Sequence, residues 1–219
     1  MQSLTHHVNE IAAHVHANRT EGQPCFVAIA GAPGSGKSTL ATEVARRLNA
    51  QHAQTVVVAM DGFHLDNRIL EPRGLLQKKG APETFDASGF MRLVSDLRSG
   101  LNVYFPTFDR AQDISIAGAV HVNAATPVII FEGNYLLFDA PIWRDLTPMW
   151  DISVRLDVPI AELRARLIQR WLSHNLSRTA ATRRAEINDL PNAQLVMDHA
   201  LPSDLTLTPT STDTAATIF

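Results

Sequence analysis

The feature that most constrains this chain is a glycine-rich segment at residues 31–38, which reads GAPGSGKS and fits the pattern GxxxxGK followed by Ser or Thr. An apolar run at residues 25–30 precedes it, and apolar residues at helical spacing follow it. Glycine permits backbone angles that other residues avoid, so successive N–H groups in such a loop can point at one anion. The order of strand, loop and helix therefore predicts a phosphate-binding site. The alternative is a glycine turn that merely precedes a helix.

The residue types in this segment predict how a nucleoside triphosphate is held. Backbone N–H groups and the N-terminus of the following helix would face the phosphates. Lys37 would add an ammonium charge, and the Ser38 hydroxyl would bind Mg²⁺. We therefore expect ATP and Mg²⁺ as cofactors. The expected nucleotide-binding residues of the loop and first helical turn are Gly31, Ala32, Pro33, Gly34, Ser35, Gly36, Lys37, Ser38 and Thr39.

The length of 219 residues suits one α/β domain over residues 1–219, with an N-terminal packing helix in residues 1–20 and a mobile tail in residues 208–219. The net charge of -3 argues against a nucleic-acid partner, because such proteins usually carry a basic surplus. No apolar run is long enough to span a bilayer, so no membrane insertion is expected. A single cysteine, Cys25, fits a reducing compartment, and we expect the cytoplasm.

Further apolar runs predict a sheet. Residues 55–60 and 127–131 favour buried strands, residues 152–158 favour another, and residues 205–207 offer a last one. Helical patterns lie between these strands, which predicts a three-layer sandwich with a mostly parallel sheet flanked by helices. We expect residues 55–60 to lie next to the first strand. Residues 114–122 are expected to form a small hairpin at the sheet edge.

Two acidic residues follow or end predicted strands, where α/β proteins bind their ligands. Asp61 is expected to act as the base that takes a proton from an alcohol, and Glu132 to hold Mg²⁺ through water beside Ser38. Each has a structural alternative. Asp61 would then cap a turn, and Glu132 would serve only the fold.

Cationic and polar residues would complete such a site. The helix at residues 161–174 carries Arg170, and Arg178 follows it; both are expected to close on the phosphates as part of a helical lid. Lys37, Asp61 and Arg170 form the expected catalytic set. Besides Asp61 and Glu132, the expected substrate contacts are His64, Asp86, Tyr104, Arg110 and Tyr135. The remaining arginines of the region, Arg164, Arg166, Arg183 and Arg184, are expected to form a solvated face.

Several spaced motifs together resemble the superfamily of uridine kinase, phosphoribulokinase and bacterial pantothenate kinase. They read GAPGSGKST, MDGFHLDN, KGAPETFD, YFPTFDR, FEGNYLLF and NDLPNAQLV, and they run in this order from about residue 26 to residue 207. The likeness is greatest to the branch described as fructose transport system kinases. It implies the fold of P-loop NTPases, with an acid at Asp61 as the base, an acid at Glu132 that helps to place metal and substrate, and lid arginines at Arg170 and Arg178. His64 stands where nucleoside kinases of this superfamily commonly carry tyrosine.

The expected function is ATP-dependent transfer of the γ-phosphate to a hydroxyl of a small polar metabolite, such as a sugar, a nucleoside or a pantothenate-like alcohol. The alternative is a nucleotide-dependent regulatory or transport-associated ATPase that has no small-molecule acceptor. The sequence leaves open the acceptor, the preference between ATP and GTP, and the oligomeric state, of which a homodimer is one option.

Overall fold

The central sheet of this protein is built from strands with apolar side chains on both faces. The computed structural model describes residues 3–209; residues 210–219 of the predicted tail lie outside the described residues. Strand β1 (Cys25–Gly31) is buried along its whole length, as expected for a strand covered on both faces. The other strands are β2 (Thr55–Ala59), β3 (Val103–Asp109), β4 (Ile114–Val122), β5 (Val128–Gly133), β6 (Ile152–Leu156) and β7 (Leu205–Leu207).

Helices cover the sheet and join its strands. They are α1 (Leu4–Asn18), α2 (Lys37–Ala50), α3 (Asn67–Leu70), α4 (Ala87–Arg98), α5 (Ile160–Ser173), α6 (Arg178–Arg184) and α7 (Leu190–Asp198). A π-helical turn (Ala185–Asp189) joins α6 to α7, and short 3₁₀ turns include Met60–Phe63, which directly follows β2. In residues 3–209, no helix has both the length and the apolar character that a membrane crossing requires.

The main sheet has the strand order β2-β5-β1-β6-β7, and every neighbouring pair is parallel. The expectation that residues 55–60 lie beside β1 was therefore wrong, because β5 comes between them. A crossover connection can place a later strand between two earlier ones, and strand hydrophobicity carries no signal of that choice. The register still brings the strand ends together, since Ala59 pairs with Glu132 and Glu132 pairs with Ile29.

Alternation along β1 divides the core between the two faces of the sheet. Phe26 and Ala28 pack into one apolar cluster with α4 and α5, whereas Val27 and Ile29 pack into another with α1 and α2. Helices thus cover both faces, which confirms the predicted three-layer α/β architecture with a parallel sheet.

A second, two-stranded antiparallel sheet lies outside the main one. Strands β3 and β4 pair with each other, so residues 114–122 form one strand rather than the predicted hairpin. The register shifts between Phe105 and Thr107, on either side of Pro106, because proline cannot donate to the ladder. This sheet packs against the turn Met60–Phe63: a Cβ at Gly62 would collide with the carbonyl oxygen of Pro106. Glycine at this position therefore lets the small sheet approach the end of β2.

Candidate active site

The glycine loop connects β1 to α2 and packs against α5. Gly34 and Gly36 have φ angles of 80° and 94°, in the region that favours glycine. A Cβ at Gly34 would lie 3.1 Å from Cγ of Leu167, so the loop also approaches α5 closely. Helix α2 begins at Lys37 without a side-chain cap, which leaves its first N–H groups facing the loop. The segment thus has the geometry of an anion-binding loop.

Lys37 is half-buried at the first position of α2. Loss of contact with water lowers the pKa of Lys37, and the carboxylates of Glu132 and Asp61 oppose this shift. Lys37 therefore experiences negative charge from the ends of two strands.

Ser38 and Glu132 form a direct contact between α2 and β5. The Ser38 hydroxyl donates to Oε2 of Glu132 at 3.0 Å. Burial raises the pKa of the Glu132 carboxyl, while Lys37 opposes the increase. Glu132 thus lies beside Ser38, as the sequence predicted.

These two side chains fit the expected Mg²⁺ site. Mg²⁺ prefers oxygen ligands, keeps several waters and takes few ligands from the protein when it binds a nucleotide. A serine hydroxyl and a buried carboxylate within hydrogen-bonding distance are donors of this kind. Residues 3–209 contain no cluster of three or more His, Cys, Asp or Glu side chains that could enclose a metal by itself. The donor set therefore suits an ion that also needs phosphate oxygens.

Asp61 lies in the 3₁₀ turn that follows β2. Its Oδ2 accepts from Nη2 of Arg110 at 2.6 Å, and Arg110 comes directly after β3. Burial alone would raise the pKa of Asp61, but the charges of Arg110 and Lys37 outweigh it and hold the pKa below its usual value. Asp61 is therefore a charged carboxylate at neutral pH.

One cavity of about 340 Å³ brings the central residues together. Lys37 and Asp61 both line it, and the small sheet and the helical segment α5–α7 form its other walls. The predicted residues that line this cavity are Pro33, Lys37, Asp61, His64, Arg110 and Arg170. The structure thus unites members of the predicted phosphate, base and substrate groups in a single space.

The helical segment contributes a network centred on Asp189. Nη2 of Arg170 lies 3.3 Å from Oδ1 of Asp189, and Nε1 of Trp171 donates to Oδ2 at 2.5 Å. Burial lowers the pKa of Arg170, and Asp189 opposes this shift. The guanidinium of Arg184 lies 5.2 Å from the Trp171 ring. The π-helical turn places Asp189 within reach of these groups, as such turns often do at functional sites.

Outside the glycine loop, the first turn of α2 and Glu132, four predicted site residues do not line the cavity. Tyr104 is 72% exposed and contacts His121 on the neighbouring strand β4. Tyr135 is fully buried, and its hydroxyl donates to the carbonyl oxygen of Gly80 at 2.6 Å. Asp86 caps α4 through a bond from the Gly89 amide. Arg178 begins α6 and lines a separate surface groove.

The expected roles of these four residues do not follow from their positions. Strand alternation points Tyr104 away from the core, whereas the aromatic cluster with Phe85 and Trp143 holds Tyr135 inside it. The structure gives Asp86 a capping role. Thr39 lines a shallow pocket next to the loop and not the main cavity.

Arg166 and Arg184 were expected in a solvated face, and the structure corrects this. The side chain of Arg166 is only 11% exposed. Its Nη1 donates to the carbonyl oxygens of Ser35 at 3.1 Å and Gly34 at 3.4 Å, while Nη2 donates to Glu162 at 2.5 Å. Arg184 lines the main cavity. Glu162 lies four residues before Arg166, and this spacing was the one sequence signal that the arginine side chain would be held in place.

Lys79 is a further site residue that the sequence analysis did not single out. It lines the cavity, and its side chain is only 7% exposed. It comes from the long segment between β2 and α4, whose regular structure is limited to short helical turns. Only the fold brings this segment next to the small sheet, so spacing along the chain carried no signal of it.

Comparisons with known proteins place this site among kinases. Residues 26–185 match the model of the "Phosphoribulokinase / Uridine kinase family", and this range contains the glycine loop, Asp61 and Glu132. A protein of Schizosaccharomyces pombe described as a candidate uridine kinase is 34% identical over 195 residues, which cover 84% of this chain and 83% of the relative. The pantothenate kinase of Rhodococcus erythropolis is 31% identical over 154 residues, which cover 68% of this chain and 49% of that enzyme.

A solved structure agrees over nearly the whole chain. The crystal structure of a candidate fructose transport system kinase from Silicibacter sp. TM1040 has a TM-score of 0.86 and 55% sequence identity. The match covers 91% of this chain and 98% of that one. The architecture described above therefore has a close experimental counterpart.

Proposed function

This chain belongs to the phosphoribulokinase/uridine kinase family, and from that premise we propose that it transfers the γ-phosphate of ATP to a hydroxyl group of a small polar metabolite. Family membership makes it an ATP-dependent small-molecule kinase with an alcohol acceptor, as the sequence motifs predicted. The acceptor and the roles of individual residues belong to the proposal.

The phosphate-binding role rests on the glycine loop and its neighbours. The loop amides and the Lys37 ammonium bind the β- and γ-phosphates, and Arg170 approaches from the helical segment. Mg²⁺, held by Ser38 and through water by Glu132, would offset negative charge on these phosphates. The cavity walls restrict water around the transferred group, which strengthens each electrostatic contact.

The base role falls to Asp61. The acceptor hydroxyl oxygen forms a bond to the γ-phosphorus, its proton passes to the Asp61 carboxylate, and ADP leaves with the electrons of the broken bond. The observation that carries the proposal is that Asp61 and Lys37 line the same cavity. A carboxylate in that cavity is close to where an acceptor must meet the terminal phosphate.

The test is the substitution Asp61→Asn in the full chain. Asparagine keeps the side-chain volume and an oxygen that can accept from Arg110, but it cannot take a proton. We expect acceptor-dependent kcat to fall roughly hundredfold to ten-thousandfold, with the Kd for ATP little changed. ATP consumption across a panel of sugars, nucleosides and other alcohols gives the first quantity, and calorimetry gives the second.

The matched control is Asp96→Asn, on the exposed face of α4 and outside the cavity. It should behave as the unchanged protein does. Normal turnover by Asp61→Asn would remove Asp61 from the base role. ATP hydrolysis at one rate, with or without any alcohol, would instead favour the regulatory ATPase.

A further inference from the structure

Six residues line the cavity with their side chains from the small sheet, its connecting turn and the segment before α4. We call them the acceptor wall: His64, Lys79, Phe85, Phe108, Arg110 and Asp113. The phosphate-binding loop and the helical segment form the other sides. If Asp61 is the base, the acceptor must lie between Asp61 and this wall.

Lys79 brings a positive charge to the acceptor wall, and protein groups already occupy its hydrogen-bond donors. Its Nζ donates to Oδ1 of Asn67 at 2.7 Å and to the carbonyl oxygen of Asp113 at 2.8 Å. Oδ2 of Asp113 lies 3.0 Å from the same nitrogen. An ammonium group has three N–H donors, so these contacts use all of them. Lys79 therefore fixes the wall and has no donor left for an acceptor.

Arg110 is the other cation of the wall, and it too has a carboxylate partner. Its Nη2 lies 2.6 Å from Oδ2 of Asp61. The wall together with Asp61 thus contains two cations and two carboxylates in two ion pairs, Lys79 with Asp113 and Arg110 with Asp61. Its net charge is zero when His64 is neutral.

His64 is held as a neutral aromatic ring. It stacks on Phe85 with ring centroids 4.0 Å apart and contacts Phe108 at 4.7 Å. Burial lowers its pKa to about 4, so the imidazole is uncharged at neutral pH. Its Nδ1 is buried without a hydrogen-bond partner in the structure. The wall therefore presents an aromatic surface and a neutral polar ring.

The cations of the cavity without a direct acidic partner lie on α2 and α6, outside the acceptor wall. Within residues 3–209, neither Lys37 nor Arg184 has a carboxylate within ion-pair distance, although both line the cavity. Lys37 belongs to the phosphate-binding loop, and Arg184 lies in α6. Cations without a direct carboxylate contact are thus available to a triphosphate at the proposed phosphate site and are absent from the acceptor wall.

We infer that the acceptor is an uncharged polyhydroxy compound, such as a free sugar, a polyol or a nucleoside, and not a carboxylate or a phosphate ester. An anionic acceptor would have to compete with Asp61 or Asp113 for a cation and would lie near both carboxylates. Hydroxyl groups can donate to these carboxylates without breaking either ion pair. This inference rests on the proposed kinase function and narrows its substrate class.

The experiment compares matched acceptors, one member of each pair uncharged and the other carrying an anionic group. The full chain is assayed with Mg·ATP against a hexose and its hexonic acid, a nucleoside and its 3′-phosphate, and pantothenol and pantothenate. In every pair that is phosphorylated, we expect kcat/KM of the uncharged member to exceed that of the anionic member by about tenfold or more. The Kd of the uncharged acceptor should also change little with added salt, because no charge pair forms on binding.

The substitution Asp113→Asn provides a charge-specific variant. Asp113 has a φ of 57°, a conformation that asparagine adopts readily, so the turn should be retained. The change leaves Lys79 without its carboxylate partner and gives the wall one positive charge. We expect the preference for the uncharged member to shrink by about threefold to tenfold. An unchanged preference would overturn the charge argument.

The outcomes separate this inference from the proposed function. Preferential phosphorylation of an anionic member would leave the kinase function intact and overturn the inference. Turnover of no acceptor in either class, with ATP still bound, would overturn the proposed function and the inference with it.

Discussion

Arg110 is the residue that determines how readily Asp61 can accept a proton. The guanidinium stabilises the charged carboxylate and holds the pKa of Asp61 below its ordinary value. In its proposed role as the base, Asp61 must be deprotonated, and this shift keeps its carboxylate charged across the neutral range. The same contact makes Asp61 a weaker base. An acceptor hydroxyl would therefore bind to a carboxylate that already accepts a hydrogen bond from Arg110.

The substitution Arg110→Gln should move the pH dependence of the reaction. Removal of the positive charge raises the pKa of Asp61, so the carboxylate becomes protonated at a higher pH than before. We expect the acid limb of kcat/KM for the acceptor to shift to higher pH by roughly one unit. Arg110 also lowers the pKa of Glu132, so the direction holds whichever carboxylate sets this limb.

The control for this prediction is Arg144→Gln. Arg144 pairs with Asp139 and does not line the cavity, so its loss should leave the pH profile in place. Profiles of kcat/KM measured between about pH 3 and pH 8 make the comparison, because the pKa of Asp61 lies below its ordinary value. An acid limb that stays where it was in Arg110→Gln would show that Arg110 does not set the protonation of the site.

At the scale of elements, the junction between the glycine loop and α5 supports nucleotide binding. Gly34 lies against Leu167, and Arg166 donates to the carbonyl oxygens of Gly34 and Ser35. Because these two carbonyl groups accept hydrogen bonds from Arg166, a residue outside the cavity stabilises the conformation of the loop. Because Arg166 does not itself line the main cavity, we propose that it is a positioning residue.

Removal of the hydrogen bonds from Arg166 to the loop should lower the affinity for the nucleotide. Arg166→Met retains an unbranched apolar side chain but removes the donors to the loop, and charge-assisted hydrogen bonds contribute about 1.5–3 kcal/mol each. We expect the Kd for Mg·ATP to rise roughly tenfold or more, measured by titration with a fluorescent ATP analogue. Arg164→Met removes an exposed pair with Glu186 and is the matched control. Equal affinities in the two variants would contradict a positioning role for Arg166.

Local pattern was sufficient to predict the elements that build the site. The apolar runs of β1, β5 and β6 need burial on both faces of a sheet, and the glycine motif lies between a strand and a helix as expected. The same pattern could not give the strand order, because β5 and β2 are equally apolar and only the crossover decides which lies next to β1.

The side chains show the same limit. The sequence predicted Lys37 from the glycine motif, and Asp61 and Glu132 because each follows or ends a strand; their roles stay predictions. Burial of Arg166 and Lys79 depends instead on which elements pack over them, and so the sequence predicted a solvated face for the first and gave no role to the second. Tyr104 and Tyr135 have similar chemistry, and only the packing of β3 and of the aromatic cluster separates an exposed ring from a buried one.

At the scale of the whole molecule, the cavity is a junction of three parts that are distant in sequence. Asn188 on the helical segment donates to the carbonyl oxygen of Lys79 at 2.9 Å, and Tyr135 after β5 donates to Gly80 at 2.6 Å. Arg110 after β3 reaches Asp61 after β2. A ligand in the cavity contacts the sheet edge, the small sheet and the helical segment at once, so its binding should stabilise the folded chain as a unit.

Thermal unfolding with and without Mg·ATP tests this coupling. A ligand present at about a hundred times its Kd adds about 2.7 kcal/mol to the free energy of unfolding. For a chain of this size that corresponds to an increase in Tm of roughly 5–10 °C. Asp61→Asn should retain the increase because the phosphate-binding groups remain, whereas Lys37→Met should lose most of it. The quantity compared is the shift within each variant, so a change in the stability of the free protein does not enter. An equal shift in Lys37→Met would mean that the nucleotide binds away from the glycine loop, and the site described here would then not be where ATP acts.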